Sequence, residues 1–191
     1  MKVYKWVALA CASLVFSAAA AAPLKIEAVV AHPIFNNFYT CSEHFEGQLK
    51  YMGDALGADC SILSMENVDG REFSRAYRND GKLNEDWYSW GMDVLSPCDC
   101  SVDRINVNDV VNLPGIMGKG PATSVTLKRE DGVKFVVAHL GRIDVKTGDK
   151  VTAGQLLGIV GNNGYSRAPH IHIGAFKDQT PYQIRFDQSR R

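Results

Sequence analysis

The chain has 191 residues, 46% of them hydrophobic, and its 21 Lys and Arg balance 21 Asp and Glu. That length suits one domain of ordinary size. The balanced charge argues against a nucleic-acid binder, which needs a one-sided basic footprint; the terminal Arg190-Arg191 pair is too short to change this.

Residues 1–20 read as a secretory signal peptide. Lys2 and Lys5 form a charged start, Val7 to Phe16 is apolar, and Ala18 to Ala22 is a run of small residues. The apolar run is too short for a membrane span. Pro23 disfavours cleavage after Ala22, which places the cut near Ala20. Cys11 lies in Ala8-Leu9-Ala10-Cys11, a poor lipid-attachment signal. The expected location is outside the cytoplasm, periplasmic or extracellular.

Residues 21–85 read as an N-terminal helical and irregular segment. Ile26 to Val30 is a short apolar strand. Thr40-Cys41-Ser42-Glu43 matches a capping box, and Phe45, Leu49, Met52 and Leu56 follow at helical spacing up to Gly57. A helix over Thr40 to Leu56, about 16 residues, would hold its ends roughly 24 Å apart. Arg71 to Arg78 reads as a second short helix, closed by the turn Asn79-Asp80-Gly81.

Four cysteines remain after the signal: Cys41, Cys60, Cys98 and Cys100. In an exported chain an even count points to disulfides, and four cysteines allow three pairings. A helix between Cys41 and Cys60 argues against bonding those two. Cys98 and Cys100 are therefore expected to join one N-terminal cysteine each. The alternative is a Cys98–Cys100 bond with the other two free.

From Asp93 onward short strands alternate with glycine and proline. They are expected at Gly91–Leu95, Ser101–Val107, Ser124–Lys128, Lys134–His139, Leu156–Val160 and His170–Phe176. Asn112 to Pro121, with three glycines and two prolines, is a surface loop. No helix alternates with these strands. The expected fold is mainly β: a small antiparallel sandwich or barrel with a central groove over residues 86–180, preceded by the helical segment and followed by a tail over 181–191.

Chemistry concentrates in Pro169-His170-Ile171-His172. On a strand, residues two apart share a face, so His170 and His172 present two imidazoles together. With His139 nearby they form a plausible zinc or acid–base site. Ser166 has no Asp–His pair to make a serine triad, and Gly-x-Ser-x-Gly is absent.

The ordered set Gly91-Met92-Asp93-Val94, Ala138-His139-Leu140, Val145 to Gly158, Val160-Gly161-Asn162-Asn163-Gly164-Tyr165-Ser166 and Pro169-His170-Ile171-His172 resembles the lysostaphin-type (LytM-like) zinc metallopeptidases, which cut peptide cross-links of bacterial cell walls. The resemblance runs from about Trp87 to Phe176. It implies that Asp93 and His172 hold Zn²⁺, and that His139 and His170 serve the water and the oxyanion. It also implies that Asn163 and Tyr165 border the substrate groove; Trp90, like Trp87 and Tyr88, is either a core aromatic, the favoured reading, or a wall of that groove. The substrate would be peptidoglycan peptides or an exported protein.

The match breaks at one position. The family's first motif is His-x-x-x-Asp, and four residues before Asp93 stands Ser89, a poor zinc ligand. Asp86, Glu85 and His44 are alternative third ligands, none at the family's spacing; a Cys98 thiolate is disfavoured in an oxidising compartment. Three readings stay open: a zinc endopeptidase with a substitute ligand, one whose zinc is held more weakly with an extra water, or a degenerate relative that binds cell wall or regulates a wall amidase. The Val145–Gly158 stretch also resembles the hairpin of biotinyl and lipoyl carriers, but no lysine stands in a carrier's Met-Lys-Met-like context.

Overall fold

The computed structural model describes residues 25–190. The signal segment 1–20 therefore lies outside the described residues. The described strands, in chain order, are β1 Ala28–Ala31, β2 Tyr39–Glu43, β3 Ala58–Ile62, β4 Ser64–Val68, β5 Arg71–Arg75, β6 Asp93–Leu95 and β7 Cys100–Asn106. They continue as β8 Ser124–Arg129, β9 Lys134–Ala138, β10 Leu140–Ile143, β11 Lys150–Val151, β12 Leu156–Val160, β13 Ile171–Lys177 and β14 Thr180–Phe186. The fold is mainly β, as the turn-punctuated sequence predicts.

Among the described residues the strands form three sheets. The main one runs β1-β14-β13-β9-β8-β7-β11, with β3 added beside β13 and β2 beside β3. Two small sheets, β10-β12-β6 and β4-β5, flank it. Pairing is antiparallel except between β1 and β14, which run parallel. That parallel pair departs from the all-antiparallel expectation.

Alternation along the central strands creates two faces. Phe135, Val137, Val125, Leu127, Ile171 and Ile173 are fully buried on one. The other carries a row of directly paired residues: Asp59, His172, Ala138, Ser124 and Asn106. The next row is Gly174, Val136, Thr126 and Arg104. Most of these residues, Gly174 and Thr126 apart, line a cleft of about 1080 Å³.

The N-terminal segment is not helical. Where a helix over Thr40–Leu56 is expected, Tyr39–Glu43 is a strand and the rest is turns. The expected apolar stripe is core only at its end: Phe45 is 72% exposed and Leu49 is exposed too, Met52 is half-buried and Leu56 buried, while Tyr39 points inward. Pairing with β3 satisfies the backbone of this segment instead. Arg71 onward forms the hairpin β4–β5, turning at Asp69-Gly70, both at positive φ, the geometry an Asp-Gly turn favours. Residues 25–85 contain a helical turn at Asn84, continuing to Asp86, and it is of 3-10 type. The expected tail also contains most of β14, which buries Ile184 and pairs with both β13 and β1.

The disulfides are Cys41–Cys60 and Cys98–Cys100, contrary to the expected cross-pairing. With a hairpin instead of a helix, Cys41 lies directly opposite Cys60 across β2 and β3. A register-paired cysteine couple on neighbouring strands is within bonding reach, which helix ends roughly 24 Å apart are not.

Candidate functional site

Five titratable or metal-binding side chains converge at one end of the cleft: His44, Asp59, His139, His170 and His172. His172 comes from β13 and Asp59 from the paired position of β3. His44 follows the end of β2, and its ring stacks on that of His172 at 5.3 Å. His139 sits in the left-handed region at φ 68, between β9 and β10. Its ring centre is 4.6 Å from that of His170 and 6.4 Å from that of His172.

Asp59 is the hub. Its Oδ1 lies 2.9 Å from His172 Nδ1 and 3.5 Å from His170 Nε2, and its Oδ2 lies 3.4 Å from His44 Nε2. The donor atoms of His44, Asp59 and His172 all fall within 4.8 Å of one another. Ligand atoms about 2.0–2.2 Å from a tetrahedral zinc stand roughly 3.3–3.5 Å apart, so this set needs only small adjustment to hold one ion.

The remaining ring nitrogens support the same reading. His44 Nδ1 is 3.0 Å from the Asp54 carbonyl oxygen, and His172 Nε2 is 2.7 Å from the Gly53 carbonyl oxygen. Each ring can donate an N–H there, and the other nitrogen faces Asp59; His172 Nδ1 hydrogen-bonds that carboxylate, and a metal ion would take the place of its proton. Metal-ligating histidines are oriented in this way by outer hydrogen bonds. Adjacent carbonyls of one turn thus aim both imidazoles. That turn lies close on the sheet: a Cβ on Gly57 would meet His172 Cε1 at 2.9 Å, and one on Gly53 would meet Val136 Cγ2 at the same distance. Glycine is required at both positions by close approach.

Electrostatics separates the groups. Burial alone would raise the Asp59 carboxyl, but hydrogen bonds from His170 and His172 outweigh it and hold the group far below the ordinary carboxylate range. Burial works against the charged form of His172, yet Asp59 and the Gly53 carbonyl raise its pKa on balance. His139 is pushed down to about 3, first by burial and then by the neighbouring His170. It is a neutral imidazole, with Nδ1 2.7 Å from the Asn163 carbonyl oxygen. Donation there leaves Nε2 as an acceptor. His170 Nδ1 lies 2.8 Å from the Ala168 carbonyl oxygen.

The sequence-expected residues divide. His139, His170 and His172 come together, joined by His44, one of the alternative third ligands. Asp93 does not join them: it opens β6, pairs with Ile159, is exposed, and acts electrostatically on Arg142. Ser89 is fully buried and its Oγ accepts the Ile62 N–H at 2.9 Å. It braces the strand that carries Asp59. Asp86 accepts hydrogen bonds from Asn79 and from the Leu83 N–H, and Glu85 is exposed beside it. Cys98 is spent in its disulfide.

Of the expected groove residues, Tyr165 lines the cleft and is 71% exposed. Trp90 is half-buried and is not among the cleft's lining residues. Asn163 is buried, and its side chain bridges the Thr123 N–H and the Leu140 carbonyl. It holds the loop that orients His139 and has no free polar atom for a substrate.

Asp59 escaped the sequence reading because nothing local marks it. Ala58-Asp59-Cys60-Ser61-Ile62 is an alternating strand pattern, and the aspartate acquires meaning only from pairing with His172.

Known proteins agree with this fold. Residues 89–184 match the model of Peptidase family M23, and the chain belongs to that family. A stretch of 85 residues is 36% identical to glycyl-glycine endopeptidase ALE-1 of Staphylococcus capitis, covering 44% of this chain and 23% of that protein. Lysostaphin of Staphylococcus staphylolyticus is 33% identical over 96 residues, 48% of this chain and 20% of that one. The chain thus spans about a quarter or less of these relatives. The catalytic domain of the prophage-encoded M23 protein EnpA from Enterococcus faecalis, in a variant form, superposes with a TM-score of 0.50 at 22% identity. It covers 76% of this chain and 86% of that one. The family match begins at Ser89, so His44 and Asp59 both lie before it.

Proposed function

We propose that this chain is an exported zinc-dependent endopeptidase that hydrolyses amide bonds in peptidoglycan peptides, with zinc held by His44, Asp59 and His172. The observation that carries this reading is the convergence of those three donors with His139 and His170 on one end of an open cleft. Export rests on the sequence pattern of residues 1–20. The peptidoglycan substrate rests on the likeness to a glycyl-glycine endopeptidase and to lysostaphin.

A bound zinc would supply a Lewis acid and a water whose pKa is lowered to about 7. The chain's own residues do the remaining work. His44 and His172, aimed by the Asp54 and Gly53 carbonyls, and the ionised Asp59 provide two neutral donors and one negative donor. Neutral His139 is a weak base, with its pKa held down to about 3 by burial, and would take at Nε2 the proton of a water that a bound zinc would acidify, while its Nδ1–H stays on the Asn163 carbonyl. His170 would donate a ring N–H to the oxygen of the scissile amide as charge develops there. Water adds to the carbonyl carbon, the C–N bond breaks, and the proton taken by His139 passes to the leaving amine.

The test is direct. Mature protein is reconstituted with zinc, the metal is counted by mass spectrometry, and soluble peptide release from purified cell walls is followed. About one zinc per chain and chelator-sensitive release are expected. A folded chain that takes up no zinc overturns the reading, and zinc-dependent digestion of a protein such as casein with walls left intact overturns the substrate assignment.

A further inference from the structure

We infer that Arg104 and Arg167, which line the same cleft, make it anion-recognising, and that Arg104 takes a carboxylate of the peptide substrate at a distance from the metal-binding end. This deepens the proposed function and rests on the cleft being a peptide site.

A register shift puts Arg104 there. On β7, Val102 pairs with Leu127 and Arg104 with Thr126, so two steps on β7 match one step on β8. Asp103 is the extra residue of this bulge. In a regular ladder Asp103 would face Thr126 and hence the cleft, and Arg104 would turn towards the core. The bulge reverses that assignment, which is a recognised use of bulges beside functional sites. Asp103 instead binds Lys134 Nζ at 2.8 Å. One inserted residue therefore exchanges a negative for a positive charge on the cleft floor.

Arg167 reaches the same cleft from the loop between β12 and β13. Both arginines are exposed, and neither has an ion pair among the described residues. Arg75, Arg129, Arg142 and Arg185 are each matched with a carboxylate, and Arg71 and Arg78, which also have no ion pair among the described residues, do not line the cleft. Unmatched guanidinium groups in a cleft suit a planar carboxylate, which they bind through paired N–H donors.

The spacing fits a peptide. From β13 to β7 there are three interstrand steps, roughly 14 Å along the sheet at about 4.8 Å each. That is about four residues of extended chain. A peptide with its scissile amide at His172 would bring a carboxylate some four residues away onto Arg104. Tyr51 and Tyr165, 80% and 71% exposed, also line the cleft.

Calorimetric titration tests this with zinc-loaded mature protein and two probes: a synthetic cell-wall stem peptide with free carboxyls, and the same peptide fully amidated. The free acid is expected to bind about tenfold or more tightly, with the gap shrinking as salt rises. In R104Q/R167Q the two probes should bind alike, at the affinity of the amidated one, with unchanged melting temperature and zinc content. Equal binding of both probes to the wild type overturns this inference alone, as does equal weakening of both in the variant. Loss of binding for both probes in the wild type overturns the peptide site itself, and this inference with it.

Discussion

Residues 89–184 and residues 25–88 contribute to one site in opposite ways. The first segment matches a family model and supplies His139, His170 and His172 on a rigid sheet. The second matches nothing in that model, yet its hairpin supplies His44 and Asp59. The family-matched segment alone lacks a complete metal set in this structure, because Ser89 is turned into the core and Asp93 faces solvent. The lesson is that a metal centre is defined by where donor atoms meet. A β-strand added beside β13 delivers a carboxylate to His172 without any shared sequence spacing.

The largest expected effect sets the two candidate carboxylates against each other. Asp59→Ala should abolish stoichiometric zinc and wall lysis, as should His172→Ala. Asp93→Ala should leave both unchanged and alter stability by less than about 0.5 kcal/mol, as exposed substitutions usually do. Zinc content and turbidity of a cell-wall suspension check this; the opposite pattern would return the site to the family's sequence spacing.

Next comes the division between holding and acting. His139→Ala should lower kcat about 10²- to 10⁴-fold, the usual contribution of a proton-transfer group. Zinc content should stay near one per chain. Parallel loss of zinc would make His139 a ligand and remove it from the proton role.

The hairpin staple gives a smaller effect. Replacing Cys41 and Cys60 with serine removes the bond between the strands carrying His44 and Asp59. A loss of about 2–4 kcal/mol in unfolding free energy is expected, with weaker zinc affinity, measured by denaturant titration and chelator competition. The same replacement at Cys98 and Cys100, which close a much shorter loop, should leave zinc affinity unchanged.

The smallest effect belongs to Asn163. Asn163→Ala leaves the buried Thr123 N–H and Leu140 carbonyl without their partner, costing about 1–3 kcal/mol. Because that loop's carbonyl orients His139, kcat should fall while KM stays near the wild-type value. A rise in KM alone would make Asn163 a substrate contact, as the family resemblance implies.

The sequence by itself carried the class of the fold and three of the five side chains at the centre, with a fourth, His44, named only as one alternative ligand among several. Alternating apolar strands between glycine and proline turns are local signals, and so is the His170-x-His172 spacing that puts both rings on one side of β13. Local signals misled where two periodicities overlapped. Phe45, Leu49, Met52 and Leu56 fit a helix, but the segment gains more from pairing Tyr39–Glu43 with β3 and bonding Cys41 to Cys60. The Asp69-Gly70 turn signal was present and outweighed a helical reading of the residues after it.

Only the tertiary structure decided which residues complete the centre. Asp59 lies 113 residues from its partner His172, and nothing in its own neighbourhood records that pairing. The carbonyls of Gly53 and Asp54 that aim two imidazoles are backbone groups, present at every position of any chain. Likewise the placement of Arg104 on the cleft floor depends on one unpaired residue in a ladder. Register, close approach and backbone direction are properties of strand against strand, and a linear sequence shows them only after the strands have met.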